Sequence, residues 1–200
     1  ARDNKGRIFL QGGVPNDPIG GVAAGIKKPY LCMYDPATDR LYQLSINIEG
    51  PGHDDYTSPY VLVSNATGDR LFACSMFGRY VMDFDLSSIA LNRADPLANG
   101  SIRVRHIPLG VPEGKRGGDQ HAGVLGLDGC FYFNSDDQLM RYCPGEGKVE
   151  NLGVIELPPE IKIGSSQGAC VAPDGTLYMK FLYPYKLLRF PQLTAPRGGK

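Results

Sequence analysis

The sequence has no surplus of charge of either sign: across 200 residues, 21 Lys and Arg balance 21 Asp and Glu. Phosphate backbones are held by a basic excess, so nucleic acid is excluded as the main partner. No apolar run approaches the roughly 18 residues that a membrane-crossing helix needs, so no membrane role is expected. Close-spaced catalytic motifs are missing as well. There is no GxSxG elbow, Walker loop, HExxH helix or CxxC pair, and no Gly-x-Gly-x-x-Gly that opens a helix. The run Gly20-Gly21-Val22-Ala23-Ala24-Gly25 sits in an insertion between strands and reads as a flexible lid rather than a phosphate cradle. The chain opens Ala1-Arg2-Asp3-Asn4, with neither an initiator Met nor an apolar leader. It therefore reads as processed, trimmed or cut from something longer. The compartment is left open, with a secreted or periplasmic one favoured.

Glycine and proline are abundant instead, at 26 and 16 residues. That density of turn formers excludes a helical bundle and favours many short strands, and the 42% apolar content is ample for a core. One pattern recurs four times: a Gly-containing turn, an aliphatic or aromatic residue, then Phe or Tyr. The copies are Lys5-Gly6-Arg7-Ile8-Phe9, Gly68-Asp69-Arg70-Leu71-Phe72, Asp128-Gly129-Cys130-Phe131-Tyr132 and Asp174-Gly175-Thr176-Leu177-Tyr178. Each is followed by a second segment ending in an aromatic at a turn, at Tyr34, Phe84, Tyr142 and Phe190. In the first copy the residues from Gly12 to Lys28 intervene as a Gly-rich insertion.

Each repeat reads as four strands, A to D. The third is the clearest, with strands over 121–127, 131–134, 139–143 and 149–155. The second has strands over 60–64, 71–75, 80–85 and 102–107. Asp-Gly turns between apolar runs are strong hairpin signals, because Gly accepts the positive φ they need. Four-stranded units at this period are the mark of β-propeller blades. The expected fold is all-β: a propeller of four-stranded antiparallel blades, with about four blades over 1–48, 59–108, 120–156 and 166–193, in a single domain or propeller fragment. A β-sandwich built from the same hairpins is the alternative. The first unit lacks strand A and the last lacks strand D, so an open arc belonging to a larger propeller is expected in preference to a closed four-bladed ring.

The phrases Tyr34-Asp35-Pro36-Ala37-Thr38-Asp39 and Ala172-Pro173-Asp174-Gly175-Thr176-Leu177-Tyr178 resemble blade motifs of the SMP-30/gluconolactonase and NHL-like propellers. The likeness covers about three-quarters of the chain and rests on turn chemistry common to many propellers, so it speaks for fold more than for activity. It implies a group of lactonases, sugar-acid lyases and non-catalytic binding modules. The metal ligands of the gluconolactonases have no residue-by-residue counterpart here.

Loop length separates the two ends of the blades. The A–B and C–D turns are short, whereas the B–C and D–A connections include long stretches at 12–28, 49–59, 110–120 and 158–167. Long loops at one end of a rigid scaffold are where binding sites concentrate. Strand A lines a propeller's channel, so residues just before it should converge. These are Gly52-His53-Asp54-Asp55-Tyr56, Lys115-Arg116-Gly117-Gly118-Asp119-Gln120-His121 and Ser165-Ser166-Gln167, which hold two of the three histidines. The third, His106, falls on a D strand and reads as packed or solvated.

Two chemistries suit this set. In one, His53, His121 and Gln167 hold a divalent metal, supported by Asp54 or Asp119. In the other, His121 or His53 abstracts a proton α to a carboxylate, Tyr56 protonates the leaving oxygen, and Arg116 or Lys115 neutralises the substrate's charge. Ordinary polar strand-capping is the plain alternative to both. The expected ligand is a small polar molecule, a sugar or sugar acid, acted on by a lyase or lactone hydrolase. The rival reading is a non-catalytic propeller that binds a protein or glycan partner on the same face. Oligomeric state is left open.

The five cysteines form no metal motif. Cys32, Cys74 and Cys170 fall inside strands and read as small buried apolar residues. If the third hairpin turns at Asp136-Asp137, partner numbers sum to 273, which sets Cys130 opposite Cys143 and permits a disulfide. Asn65-Ala66-Thr67 and Asn99-Gly100-Ser101 match the glycosylation sequon, meaningful only in a eukaryotic secretory setting. Tyr183 and Tyr185, beside Pro184, could stack on a sugar ring or simply pack in an exposed loop.

Overall fold

The computed structural model describes residues 1–11, 30–50, 59–74, 78–92, 100–112, 118, 120, 122–157, 166–181 and 185–195. Fourteen strands and no helix occur among them. The first repeat contributes β1 (Ile8–Leu10), β2 (Tyr30–Asp35) and β3 (Arg40–Glu49), and the second β4 (Val61–Ser64), β5 (Arg70–Cys74), β6 (Tyr80–Leu91) and β7 (Gly100–Pro108). The third gives β8 (Gly123–Leu125), β9 (Phe131–Ser135), β10 (Gln138–Cys143) and β11 (Lys148–Val154). The fourth gives β12 (Ser166–Val171), β13 (Leu177–Phe181) and β14 (Lys186–Phe190).

The four repeat glycines share one conformation for one reason. Gly6, Gly68, Gly129 and Gly175 have φ of 82°, 66°, 78° and 81°. In each, the glycine N–H donates to the carbonyl three residues back, at Asp3, Asn65, Gly126 and Ala172. A side-chain oxygen at that end of the turn completes it. Asp128 Oδ1 accepts from the Cys130 amide at 3.1 Å and Asp174 Oδ1 from the Thr176 amide at 2.9 Å. Asn65 does this work in the second repeat, where its Oδ1 accepts from the amides of Asp69 and Arg70 and its Nδ2 donates to Thr67 and Asp69. A glycan on Nδ2 would cost those bonds, so this sequon reads as turn chemistry. Asn99 lies outside the described residues.

Strands pair in the order β1-β2-β3-β7-β6-β5-β4, β11-β10-β9-β8 and β12-β13-β14. As expected, among the described residues the first repeat shows no full strand A, only a bridge between Arg2 and Ile8, and the fourth shows no strand D. One feature departs from separate blades. The outer strands β3 and β7 pair in parallel, Leu44 with Gly100 through Glu49 with Arg105, and so merge the first two repeats into one seven-stranded sheet. Each of these strands is long and would otherwise leave a row of backbone groups unpaired at an edge, the exposure that sheets generally avoid.

The chain divides into two compact units, Ala1–Ala73 with Met82–Ile107 and Cys74–Val81 with Pro108–Lys200. The first has its own core, built from residues such as Phe9, Met33, Leu44, Leu71, Phe84, Ile102 and Val104. On the same sheet Asp83, wholly buried, accepts from Arg70 Nε at 2.7 Å and from Arg105 Nη2 at 3.3 Å. His106 on β7 is buried, in keeping with a packed role. The second unit packs Tyr132, Leu139, Leu177, Met179 and Phe181 together, with β8 and β12 alongside one another. Two neighbouring strand A elements are thereby adjacent, as the axial position of strand A requires.

The third hairpin follows the expected register. Phe133 pairs with Met140 and Phe131 with Tyr142. Cys130 and Cys143 close it as a disulfide with Cα atoms 4.4 Å apart, within the usual bridging range. Of the remaining cysteines, Cys74 is buried and Cys32 partly buried, but Cys170 is exposed, because it takes the outward phase of β12.

Candidate functional site

The second unit carries a polar floor at the B–C and D–A end of its strands. Gln120, just before β8, is fully buried and its Nε2 donates to the Gly78 carbonyl at 2.8 Å. Its own carbonyl meets the Cys74 thiol at 3.9 Å, and burial pushes that thiol's pKa up, so it stays protonated. Gln120 Oε1 is buried with no hydrogen-bond partner among the described residues. An amide oxygen in that condition costs about 1–3 kcal/mol unless something donates to it.

In the same unit, Ser166 at the start of β12 donates its hydroxyl to Asn134 Oδ1 at the end of β9, and both residues are buried. Asn134 Nδ2 donates in turn to the Asp136 carbonyl at 3.1 Å. Gly118 runs tight over the same turn: a Cβ there would lie 2.5 Å from Ser135 Oγ and 2.7 Å from the Asp136 nitrogen. The loop before β8 is thus fitted against the B–C turn of its own repeat, and only glycine allows the approach.

His53, Tyr56, Arg116 and His121 lie outside the described residues, as do Asp54, Lys115 and Asp119. Gln167 is described. It is exposed and falls where the β12–β13 register slips, between the pairs Ser166–Phe181 and Gly168–Lys180. The inward residue at the head of β12 is therefore Ser166. Among the described residues no group of three or more His, Cys, Asp and Glu is placed to hold a metal ion. Tyr185 is exposed, and Tyr183 lies outside the described residues.

A second concavity was not expected from loop lengths. A pocket of about 570 Å³ opens at the other end of the third repeat, between the Asp128-Gly129 turn and the turn from Cys143 to Glu146. Arg141 and both disulfide cysteines line it. Arg141 is buried, ion-paired to Glu150 and next to the Tyr132 hydroxyl, and its Nε has no partner among the described residues. Tyr132 donates to Asp128 Oδ2 at 2.7 Å. Burial first, and that bond second, push its phenol up to about 12. These groups consume one another's charge, and the free carboxylate at the rim belongs to Glu146. Bare glycines at 129 and 145, with open space where a Cβ would sit, were the sequence signal for this hollow.

No protein-family model matches the chain, and no curated protein matches it. Solved structures do. A gluconolactonase from Xanthomonas campestris superposes with a TM-score of 0.56 at 16% identity, over 95% of this chain and 55% of that one. A structural-genomics target assigned as a gluconolactonase superposes with a TM-score of 0.53 at 15% identity, over 96% of this chain and 58% of its own. The fold is a β-propeller. At this identity the likeness speaks for the fold alone, and the chain spans little more than half the length of either structure. The resemblance of the turn motifs to the SMP-30/gluconolactonase group is thus upheld at the level of the fold.

Proposed function

We propose that the chain binds a sugar acid or its lactone on the B–C and D–A loop face of the propeller and opens the lactone by hydrolysis. The observation that supports this reading is Gln120. A buried amide oxygen lacking a donor, at the end of the unit that also buries Ser166 and Asn134, suits a hydroxyl-rich ligand, which supplies donors in excess. The candidate chemistry sits next to it in sequence. Water attacks the lactone carbonyl while His121 accepts its proton, and Arg116, with Lys115, stabilises the oxyanion. The ring C–O bond then breaks, and the imidazolium returns the proton to the leaving oxygen. Acid is released with no other reactant.

The test is acid release from a panel of aldonolactones, followed with a pH indicator on the full chain. His121→Ala and Arg116→Ala should each lower kcat/KM by at least about 100-fold, the usual scale for a general base or an oxyanion donor. Gln120→Leu should raise KM. Substituting His53 and Tyr56 decides whether the loop before β4 takes part. Runs with and without a chelator decide whether His53, His121 and Gln167 hold a divalent metal. Formation of an unsaturated product from a sugar acid would transfer the assignment to a lyase.

A non-catalytic binding module is the second reading. It is favoured by the floor itself, whose described groups are amides, hydroxyls and a protonated thiol, with nothing poised to transfer a proton. Saccharide binding that persists in His121→Ala, without turnover in the parent chain, would establish it.

A further inference from the structure

The pocket over the Asp128 turn is lined by one phase of the β9–β10 hairpin. Arg141 and Cys143 line it, Tyr142 between them does not, and Cys130, bonded to Cys143, lines it as well. Successive residues of a strand face opposite sides. The side chains of Arg141, Cys143 and Cys130 therefore share the face on which the pocket lies, and the disulfide is part of its wall. The two halves of that bond are unequally covered. Cys130 is 7% exposed, whereas Cys143 is only partly buried.

The pocket is polarised as well. At its covered end Arg141 is buried and ion-paired to Glu150. Its Nε is a buried donor with no hydrogen-bond partner among the described residues. At the open end Glu146 presents an exposed carboxylate. A volume of about 570 Å³ is ample for a small molecule. A ligand that matches this order carries an anionic acceptor at its leading end and a cation at its trailing end, and its leading end arrives at a disulfide.

We propose that this pocket admits a small aminothiol, which exchanges with the Cys130–Cys143 disulfide in the folded protein. The thiolate enters toward Arg141, and the ammonium stays at the rim with Glu146. The thiolate sulfur attacks Cys143 Sγ, the more accessible of the two. A new S–S bond forms there, the Cys130–Cys143 bond breaks, and its electron pair leaves on Cys130 Sγ, which takes a proton from water. A second aminothiolate then attacks the sulfur of the first. Cys143 leaves as a thiolate and takes a proton in its turn. The protein is left with two thiols, the two aminothiols depart as one disulfide, and two electrons have passed to the protein.

The test exposes the oxidised full chain to cysteamine under native conditions at low salt, with mercaptoacetate as the anionic counterpart. Intact mass and peptide mapping after an acid quench follow the bond. Each rate is divided by the same thiol's rate with a small neutral disulfide, which removes differences in thiol reactivity. Cysteamine should be favoured by about fivefold, an advantage that salt erodes, and the first adduct should appear on Cys143. Glu146→Lys should reverse the preference; Glu146 is exposed, and thermal unfolding checks that the variant folds. Gly145 has open space about it and no left-handed backbone, so Gly145→Leu should narrow the pocket and slow both thiols. Urea below the unfolding transition should leave the rates unchanged. A rate that climbs with urea in step with unfolding overturns the proposal, because exchange then runs through the opened chain. Equal normalised rates for the two thiols, a first adduct on Cys130, or no exchange at all overturns it too.

Discussion

At the scale of single residues, one buried phenol carries a pH signature that can be tested. Tyr132 is enclosed at the root of its sheet, donates to Asp128 and is held up to about 12 against an ordinary 10.0. Its neutral form is the one the fold keeps. Between those two values the unfolded chain has released the proton and the folded chain has not, so stability falls as pH rises. The contribution is whole below about pH 10 and is lost on the way to pH 12. Tyr132→Phe should therefore flatten the alkaline limb of a urea-unfolding series taken across that window. Tyr34, raised mainly by its bond to Asp39, is a useful contrast because it stands in open solvent. Screening there is strong, so Tyr34→Phe should leave the slope almost unchanged. If the alkaline limb is as steep in Tyr132→Phe as in the parent, the buried Asp128–Tyr132 bond is not its source.

At the scale of elements, equivalent turns have unequal tolerances. Gly129 and Gly175 close the same turn with nearly the same φ, so Ala at either loses about 1–2 kcal/mol to the left-handed backbone. Around Gly129 nothing lies within 4 Å of an added Cβ, whereas at Gly175 it would meet the Ala195 nitrogen at 2.6 Å. Gly175→Ala should thus cost about 1–3 kcal/mol more than Gly129→Ala, through displacement of the returning C-terminal segment. Equal midpoints in a denaturant titration of the two variants would contradict this. The turns themselves were readable from sequence, since only glycine serves at positive φ and the flanking aromatics repeat. The 273 register was readable because an Asp-Asp turn fixes every pair that follows it. The parallel joining of β3 and β7 was not, because it depends on how two outer edges meet in space rather than on either strand's own pattern. The candidate site rests on loop length for its end of the sheet, and the buried Gln120 and Ser166 fall in the segments named before strand A. The irregularity at the head of β12, however, leaves Gln167 outward, a change of phase that residue spacing does not reveal. The pocket over the Asp128 turn escaped for a related reason: short loops hide a hollow made by glycines lacking side chains.

At the scale of the molecule, the two compact units are chemically unequal. Each has its own core, but the disulfide belongs to the second alone. It ties the ends of the β9–β10 hairpin, the inner pair of a four-stranded sheet, across a sequence separation of 13. A loop of that size restricts the unfolded chain by about 3 kcal/mol in the chain-entropy account. Cys130 and Cys143 also pack in the same apolar cluster as Leu139, Ile155 and Leu177, so severing the bond loosens that core from within. Reduction should accordingly weaken the second unit and spare the first, where Cys32 carries no bridge. Hydrogen exchange read by mass spectrometry, with and without a thiol reductant, separates the cases. Amides of β8 to β11 should lose protection by about two powers of ten, the equivalent of about 3 kcal/mol, with a smaller loss in β12 to β14. Amides of β1 to β3 should keep theirs. A uniform loss over all fourteen strands would mean instead that both units unfold as one cooperative body, with the single disulfide serving the whole chain.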